Sequence, residues 1–344
     1  MESFIIDKDR KAVEHVSGGK MTLIYDNAGN PSVMCVIPKF RMEDVDANLG
    51  TGVHPAFIVH GKEVPEIFIS KYQNVIANGR AYSLAHEDPK AYITFDQSKA
   101  ACDAKGRGWH IMTRAEWAAI ALWCKANGFM PRGNTASGRA YDALHECGVM
   151  GGDARTLTGS GPVTWNHDNT PYGISDLCGN VWEWNDGAKI IDGRIYIHGE
   201  DGVAMNNFDT ANLEGNVSGW VNTNAFYMGD GMKIGAARAN AKGYDGNFKD
   251  LVANSGFTIP NTLKQLALAP TTGNTTDDHF YCNTEGERIP FSGGSWNNGS
   301  DAGLFDLNLN NVRSNSNGNI GFRSALLQSV RSYNLTGLYP VHEV

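Results

Sequence analysis

The sequence has no cluster of basic residues and no long apolar segment, and each absence excludes a class of protein. The 344 residues carry a formal net charge of −8 and a pI near 5.7. A nucleic-acid partner would require basic patches, so we expect none. No stretch of eighteen apolar residues occurs, so membrane insertion is not expected either.

Targeting signals are also missing from the sequence. Residues 1–10 lack the apolar core of a signal peptide, and neither end carries a lipidation signature. We therefore expect synthesis in the cytoplasm and no secretion by a signal peptide. Assembly into a particle inside the cell would still carry the protein outside.

Disulfide and metal-binding patterns are absent as well. The cysteines form no CxxC pair, and the ten histidines form no HxxH or HExxH pattern. We therefore expect no zinc site and, without an export signal, no disulfides. The six cysteines are Cys35, Cys102, Cys124, Cys147, Cys178 and Cys282.

Glycine and apolar residues, by contrast, are plentiful. The chain has 40 glycines and 41% hydrophobic residues, which indicates a loop-rich fold with a sizeable core. Near the N-terminus, Met21–Tyr25 and Ser32–Pro38 flank the turn sequence Asp26–Pro31, and this pattern predicts a β-hairpin. We expect residues 1–65 to form a small β-rich module, either as a separate unit or as an edge extension of the main domain.

Two helices are predicted by their capping signals. Phe95–Ala104 follows Thr94, which is a suitable N-cap residue. Thr113 and Glu116 have the spacing of a capping box, and we expect the helix that they begin to end before Gly128.

The stretch from about residue 187 to 285 has little periodicity. A turn and a strand are predicted at Asp192–Ile197, and a short helix near Asn261–Leu268. We expect the rest of this stretch to be a loop-rich insertion on the surface.

The most unusual segment lies near the C-terminus, between Ser295 and Asn319. Eight of its 25 residues are asparagine. Leu307 and Leu309 alternate with Asn308 and Asn310, a period of two that predicts leucines in the core and asparagines facing solvent.

Three motifs occur along the chain in a fixed order: Thr113–Trp117, Gly179–Trp184 (GNVWEW), and Gly293–Trp296 (GGSW) with Ile320–Arg323 (IGFR). Together they resemble the formylglycine-generating-enzyme branch of the C-type lectin fold over about residues 66–327. The resemblance implies an α+β C-type lectin fold, with the β module of residues 1–65 before it, the insertion of about 187–285 within it, and a tail of residues 328–344.

The segment after GGSW is similar to the variable proteins of diversity-generating retroelements, which include phage tropism determinants. In that family a reverse transcriptase copies a template repeat with errors at adenines, and the product replaces the 3′ end of the target gene. Asparagine codons can then change to many residues but not to stop codons. Ser295, Asp301 and Gly318 are each reachable from an asparagine codon by adenine changes alone.

The resemblance implies a set of variable, ligand-binding positions, here called the variable slots. Scaffold residues such as Trp296, Leu307, Arg313 and Arg323 lie between them. The slots are Ser295, Asn297, Asn298, Asp301, Asn308, Asn310, Asn311, Asn315, Asn317, Gly318 and Asn319.

In the family resembled, the GNVWEW turn can hold calcium. Carried over, the ligands would be the carbonyls of Cys178, Gly179 and Val181 and the carboxylate of Glu183. No cofactor is required, and the alternative is that Glu183 pairs with a buried arginine, for which Arg313 and Arg323 are candidates.

Three functions are compared: a diversified binder, an oxidase and a sugar-binding lectin. Formylglycine-generating enzymes use a cysteine pair just after GGS, whereas Ser292–Val344 contains no cysteine. The histidine triad of the related sulfoxide synthases and the Glu-Pro-Asn or Gln-Pro-Asp turns of calcium-dependent lectins are also absent. We therefore predict a non-enzyme that binds a protein or glycan receptor on a target cell. Phage receptor binding is the preferred setting, a bacterial variable lectin-like protein is the alternative, and a homotrimer would add avidity.

Overall fold

The computed structural model describes residues 7–240, 243–271, 273 and 276–327. The predicted C-terminal tail, 328–344, lies outside these residues. Helices and mixed sheets occur together, so the predicted α+β class is confirmed. The helices of the described part are α1 (Lys8–Ser17), α2 (Met42–Val45), α3 (Phe95–Asp103), α4 (Arg114–Asn127) and α5 (Asn261–Gln265).

The β-strands of the described part are numbered along the chain. The first twelve are β1 (Met21–Tyr25), β2 (Pro31–Pro38), β3 (Ile58–Val59), β4 (Lys62–Glu63), β5 (Glu66–Ser70), β6 (Val75–Ala77), β7 (Arg80–Tyr82), β8 (Trp109–Ile111), β9 (Arg139–Ala140), β10 (Ala143–Cys147), β11 (Trp182–Trp184) and β12 (Ala188–Ile191). The remainder are β13 (Arg194–Glu200), β14 (Val203–Ala204), β15 (Trp220–Tyr227), β16 (Lys233–Gly235), β17 (Gly243–Asn247), β18 (Val252–Ala253), β19 (His279–Asn283), β20 (Glu287–Arg288), β21 (Phe291–Ser292), β22 (Leu307–Leu309), β23 (Ile320–Phe322) and β24 (Ser324–Leu326).

The predicted N-terminal hairpin is present as β1 and β2, and it belongs to a larger sheet. This sheet has the order β1-β2-β5-β24-β8, and β2 pairs with β5 from Met34↔Ser70 to Pro38↔Glu66. The hairpin therefore extends the main sheet at its edge, which was the second of the two alternatives. Helix α1, which the sequence analysis did not predict, precedes it and is capped by Asp7 and Gly18.

The predicted N-cap residue Thr94 and the predicted capping box at Thr113 are both present, and Thr94 is also part of a capping box. In α3 the Thr94 and Gln97 side chains cap each other's backbone amides, and in α4 Thr113 and Glu116 do the same. Helix α4 is almost entirely buried. Its first residue, Arg114, donates hydrogen bonds to the carbonyls of Leu266 and Ala267 and to Ser292 Oγ. Arg114 thus ties the end of α5 and strand β21 to the central helix.

The stretch expected to be a loop-rich insertion on the surface contains a sheet, and the expectation of a surface position was wrong, because Ile190, Ile195 and Ile197 belong to the buried core. Strands β18, β16, β15, β13, β12 and β20 form one sheet in that order, and β14 pairs with β13. The predicted turn at Asp192–Gly193 joins β12 and β13, and both residues have positive φ angles, of 49° and 79°. The register of the β13–β15 pair shifts between Arg194 and Tyr196. Such a bulge interrupts the alternation of apolar residues on which strand prediction depends.

Two of the three motifs that carry the resemblance meet in a third sheet, with the order β17-β19-β22-β21-β11-β23, whereas Thr113–Trp117 lies at the start of α4. Strand β11, from GNVWEW, pairs antiparallel with β21, which ends at the GGSW motif, and parallel with β23, from IGFR. Residues 293–319, which include the variable slots, begin after β21 and end before β23, and they contribute β22 to the same sheet. The sheet therefore positions both ends of the segment.

Candidate ligand-binding surface

Four variable slots share a surface cleft of about 490 Å³. We call it the asparagine cleft, and its remaining lining residues come from elsewhere in the chain or from the scaffold. It is lined by Tyr92, Asp153, Ala154, Trp296, Asn297, Asn317, Gly318 and Asn319.

The slots at positions 317–319 are held by their main-chain carbonyls. Asn317 O accepts a hydrogen bond from Tyr92 N (3.0 Å), and Asn319 O accepts one from Trp182 N (2.8 Å). Gly318 O accepts one from the Arg155 guanidinium (2.8 Å). Because every amino acid supplies a carbonyl, the side chains at these positions can change without loss of these bonds.

A buried serine organises the other side of the cleft. Ser295 Oγ lies 2.7 Å from Asn298 Oδ1 and 2.9 Å from Asn297 Oδ1, and it accepts a hydrogen bond from Asn319 Nδ2 (3.2 Å). Ser295 is fully buried, so the expectation that this slot faces solvent was wrong. Its hydroxyl oxygen lies within hydrogen-bonding distance of the side chains of three other slots.

The opposite wall of the cleft contains residues that the sequence analysis missed. Tyr92 is an exposed aromatic residue, with 59% of its surface accessible. Arg155 holds Asp153 through a 2.7 Å ion pair, and it also pairs with Asp88. No local pattern marks Tyr92 or Asp153, because both lie more than 140 residues from the segment that they contact.

Gly318 lies against this wall. A Cβ atom at this position would be 2.7 Å from Tyr92 Oη and 3.0 Å from Asp153 Oδ2. Gly318 is buried rather than exposed, because these side chains cover it. Any side chain at this slot must therefore displace Tyr92 or Asp153.

A second group of slots surrounds the end of β22. Asn308 Oδ1 accepts hydrogen bonds from Asn310 N (2.9 Å) and Asn311 Nδ2 (3.0 Å), and Asn315 Nδ2 donates to Asn311 Oδ1. Asn308 is only 8% exposed, so the predicted solvent-facing role of this asparagine was wrong. The reason is that β22 is paired on both edges, by β19 and β21, and is covered on both faces. Asn310 is exposed as predicted.

The buried scaffold residue Arg313 holds the backbone beside this second group of slots in place. Its guanidinium pairs with Glu287 (2.9 Å) and Asp96 (2.7 Å) and donates to the carbonyl of Asn212 (2.9 Å). Charge-assisted bonds of this kind are strong and geometrically specific.

Asp301 is partly exposed and has neighbours of its own, away from the residues that line the cleft. Tyr281 Oη lies 3.5 Å from Asp301 Oδ2, and His279 Nδ1 lies 3.9 Å from Asp301 Oδ1. Burial, followed by the charges of Asp306 and Asp301, raises the pKa of the Tyr281 phenol. The variable slots thus lie in three neighbourhoods rather than on one uniform face.

The GNVWEW turn holds a side-chain amide at its centre. Gln73 Nε2 lies 3.0–3.4 Å from the carbonyls of Asp176, Gly179 and Val181, and 3.0 Å from Glu183 Oε1. Glu183 also pairs with Arg323, which was the predicted alternative to a metal. These residues do not fit the predicted calcium ion.

The predicted ligand Cys178 lies differently from the other three. Its carbonyl packs against Gly133, where an added Cβ would be 1.7 Å from the oxygen. The carbonyl of Asp176, which the sequence analysis did not include, takes part in the turn instead. Within the described residues, no group of three or more His, Cys, Asp or Glu side chains could hold a metal ion.

The cysteines are all free thiols, and only Cys147 is exposed. Burial raises the pKa of both the Cys178 and the Cys282 thiols, which opposes formation of a nucleophilic thiolate. In the part of the chain that the structure describes, no helix combines the length and apolarity needed to cross a membrane.

Comparisons with known proteins give matches only among solved structures. No family model matches the sequence, and no curated protein does. The Major Tropism Determinant I1 variant aligns with a TM-score of 0.33 and 13% identity, over 86% of this chain and 56% of its own length. The U1 variant of the same protein gives a TM-score of 0.32 and 13% identity, over 89% and 71% of the two chains. PvdO from Pseudomonas aeruginosa gives 0.37 and 13%, over 89% and 97%.

The chain therefore spans little more than half the length of the I1 variant. The similarities are weak in both sequence and superposition, and they concern the fold alone. The likeness to tropism determinants that the sequence motifs indicated is thus found among solved structures as well, as a likeness of fold.

Proposed function

We propose that this chain is a binding protein whose ligand contacts are made at the asparagine cleft and whose variable slots are diversified by adenine-directed retroelement mutagenesis. The observation that carries this proposal is the main-chain anchoring of positions 317–319 through Tyr92, Arg155 and Trp182. With such anchoring, main-chain carbonyls hold the backbone in place and the side chains are left to face a ligand. Side chains can then vary while the cleft persists.

Energetic considerations support the same division. Substitutions at exposed positions usually change stability by within about ±0.5 kcal/mol, whereas buried substitutions cost about 2–5 kcal/mol. Asn297, Asn310 and Asn317 are exposed, so they are the slots best suited to carry new ligand contacts. Ser295 and Asn308 are buried, so we assign them mainly to shaping the loops.

The ligand that we propose is a protein or glycan receptor on a target cell, and the preferred setting is a phage tail. The cleft offers amide groups from the asparagines, an exposed aromatic ring at Tyr92 and a carboxylate at Asp153. Aromatic and amide groups are the side-chain types typically enriched at adaptable binding surfaces. A bacterial variable protein is the alternative setting, and a homotrimer would strengthen individually weak contacts.

Binding is favoured over catalysis. An oxidase of the formylglycine-generating type needs a reactive cysteine pair, and the buried Cys282 and Cys178 have thiols whose pKa burial raises. A cysteine-peptide oxidation assay tests this choice, because turnover by the purified protein would favour the enzyme.

Two experiments test the proposal. The first is to sequence the DNA downstream of the gene. We expect a near-copy of codons 290–325 that differs only opposite adenines, beside a reverse-transcriptase gene. A locus without such a repeat would contradict diversification.

The second experiment measures binding of the labelled protein to a panel of bacterial cells. Alanine at Asn297 and Asn317 should reduce binding to any strain that the parent recognises. The matched control is Asn127→Ala, an exposed asparagine at the end of α4 that does not line the cleft. Equal loss with the control variant would contradict the assignment of the cleft.

A further inference from the structure

The oxygens gathered by the GNVWEW turn surround a nitrogen atom. Gln73 Nε2 lies 3.0 Å from Asp176 O, 3.2 Å from Val181 O and 3.4 Å from Gly179 O. It also lies 3.0 Å from Glu183 Oε1. Carbonyl and carboxylate oxygens converging on one point are the usual surroundings of a hard cation, yet here they converge on an amide.

The orientation of this amide follows from its other end. Gln73 Oε1 accepts a hydrogen bond from Asn180 Nδ2 at 2.8 Å. Turning the amide over would place its oxygen against four acceptor oxygens and its NH₂ group against another NH₂ group. The hydrogen-bond network therefore selects the orientation in which the two N–H groups are shared among the four oxygens.

The turn has no space for an ion, and the negative charge of Glu183 is already paired. Gln73 and Asn180 are fully buried, and Glu183 is 1% exposed. Arg323 already pairs with both oxygens of the Glu183 carboxylate, at 2.8 and 2.9 Å. A calcium ion needs six to eight oxygen ligands at about 2.3–2.6 Å, and here it would overlap with the Gln73 nitrogen and lie beside a buried guanidinium.

We infer that the Gln73 amide takes the place of a cation in the GNVWEW turn, so that this chain holds its binding scaffold without calcium. The amide meets the hydrogen-bonding demand of the converging oxygens with a neutral donor. The inference does not depend on the proposed function, because it concerns only how the turn is held.

The turn is connected to the asparagine cleft through Asn180. Asn180 O accepts a hydrogen bond from Trp296 N at 3.1 Å, and Asn180 Oδ1 accepts one from Thr156 N at 2.8 Å. Gln73 therefore supports, through Asn180, the scaffold residue Trp296, which follows the first variable slot. The shape of the cleft should accordingly be the same in calcium and in a chelator.

Thermal unfolding and terbium luminescence test this inference on three proteins. For the wild type we expect the same unfolding midpoint in EDTA and in about 5 mM calcium, which is a saturating level for a structural site. We also expect no terbium emission sensitised by the buried tryptophans. Gln73→Asp replaces the amide with a carboxylate that is one methylene shorter, so it adds a negative charge and vacates the space that the donor nitrogen fills. We expect it to unfold more than about 2 °C lower than wild type in EDTA, to recover in calcium and to give terbium emission.

The wild-type measurement decides the matter even if a variant fails to fold. A calcium-dependent rise in the wild-type midpoint, or a heat of calcium binding to the wild type in calorimetry, would overturn the inference. Gln73→Met provides the matched control, because it has a similar shape but neither the donor nor the charge. It should be destabilised in both buffers equally, and recovery of this variant in calcium would also contradict the assignment.

Discussion

Arg323 donates two hydrogen bonds to Glu183, from Nη2 to Oε1 at 2.8 Å and from Nε to Oε2 at 2.9 Å. Arg323 also donates to the carbonyls of Ser70, Lys71 and Ser175. Neither member of the pair is more than 1% exposed. This bidentate pair joins the IGFR motif, which follows the variable segment, to the GNVWEW turn.

Breaking this pair from one side should destabilise the protein strongly. We expect Arg323→Met to lower the free energy of unfolding by about 3–5 kcal/mol, because Glu183 would be left buried without its partner. The measurement is chemical denaturation followed by tryptophan fluorescence. The double variant Arg323→Met with Glu183→Gln should lose less than the sum of the single losses, and additive losses would contradict the coupling.

The contribution of three buried carboxyl groups to stability should fall as pH rises from about 4 to 7. Burial raises the pKa of Asp278 to about 6 and that of Asp176 to about 6. Burial together with the charge of Asp278 also raises the pKa of Asp306. Each group binds its proton more tightly when folded than when unfolded, so its contribution is complete below the unfolded pKa of 3.8 and is lost as pH rises through the folded pKa.

Asp278→Asn should remove part of this pH dependence. An amide oxygen can still accept the hydrogen bond that Phe305 N donates to Asp278 Oδ2, but it does not titrate. Between pH 4 and 7 the variant should gain at most about 3 kcal/mol relative to wild type. Urea denaturation at each pH provides the measurement, with the exposed Asp230→Asn as control. A constant difference across the range would count against the assignment.

A side chain at position 318 should act through Tyr92. We expect Gly318→Ala to cost about 1–2 kcal/mol, because its Cβ would be 2.7 Å from Tyr92 Oη. The cost should shrink when Tyr92→Ala is present as well, since the obstructing group is then gone. Thermal denaturation of the four proteins in this double-mutant cycle gives the coupling, and equal costs in both backgrounds would contradict it.

The two asparagines beside Leu309 should differ in their tolerance of substitution. Asn308→Ala should cost about 1–3 kcal/mol, because Asn310 N and the Asn311 amide lose their acceptor. Asn310→Ala, at an exposed position, should change stability by within about 0.5 kcal/mol. Chemical denaturation of both variants checks the difference. Equal tolerance would mean that Asn308 has no structural role.

Helix boundaries were predictable because their signals are local. The Thr94 and Thr113 caps lie within three residues of their partners, so their chemistry can be recognised in the sequence. Apart from β13, the strands between residues 188 and 253 were not predicted, because most are short and a bulge shifts the register between β13 and β15. Their pairing depends on partners that lie far apart along the chain.

The alternation at Leu307–Asn310 shows where a periodic pattern is insufficient. A period of two correctly predicts a strand, and β22 spans Leu307–Leu309. It does not tell how many faces of that strand are covered. The two neighbouring strands and the layers above and below bury Asn308, and only packing could establish this.

The residue types along the chain were enough to predict the variable segment, the motifs that frame it and the capped helices, because each of these predictions depends on chemistry within a few residues. The wall of the cleft at Tyr92 and Asp153 depends on contacts between residues that lie far apart along the chain. The same holds for the partner of Glu183 and for the Gln73 amide within the GNVWEW turn, since Gln73 and Glu183 are 110 positions apart. Such contacts arise only when the folded sheets bring distant segments together, and there an amide and a guanidinium occupy the turn for which the motif alone had indicated calcium.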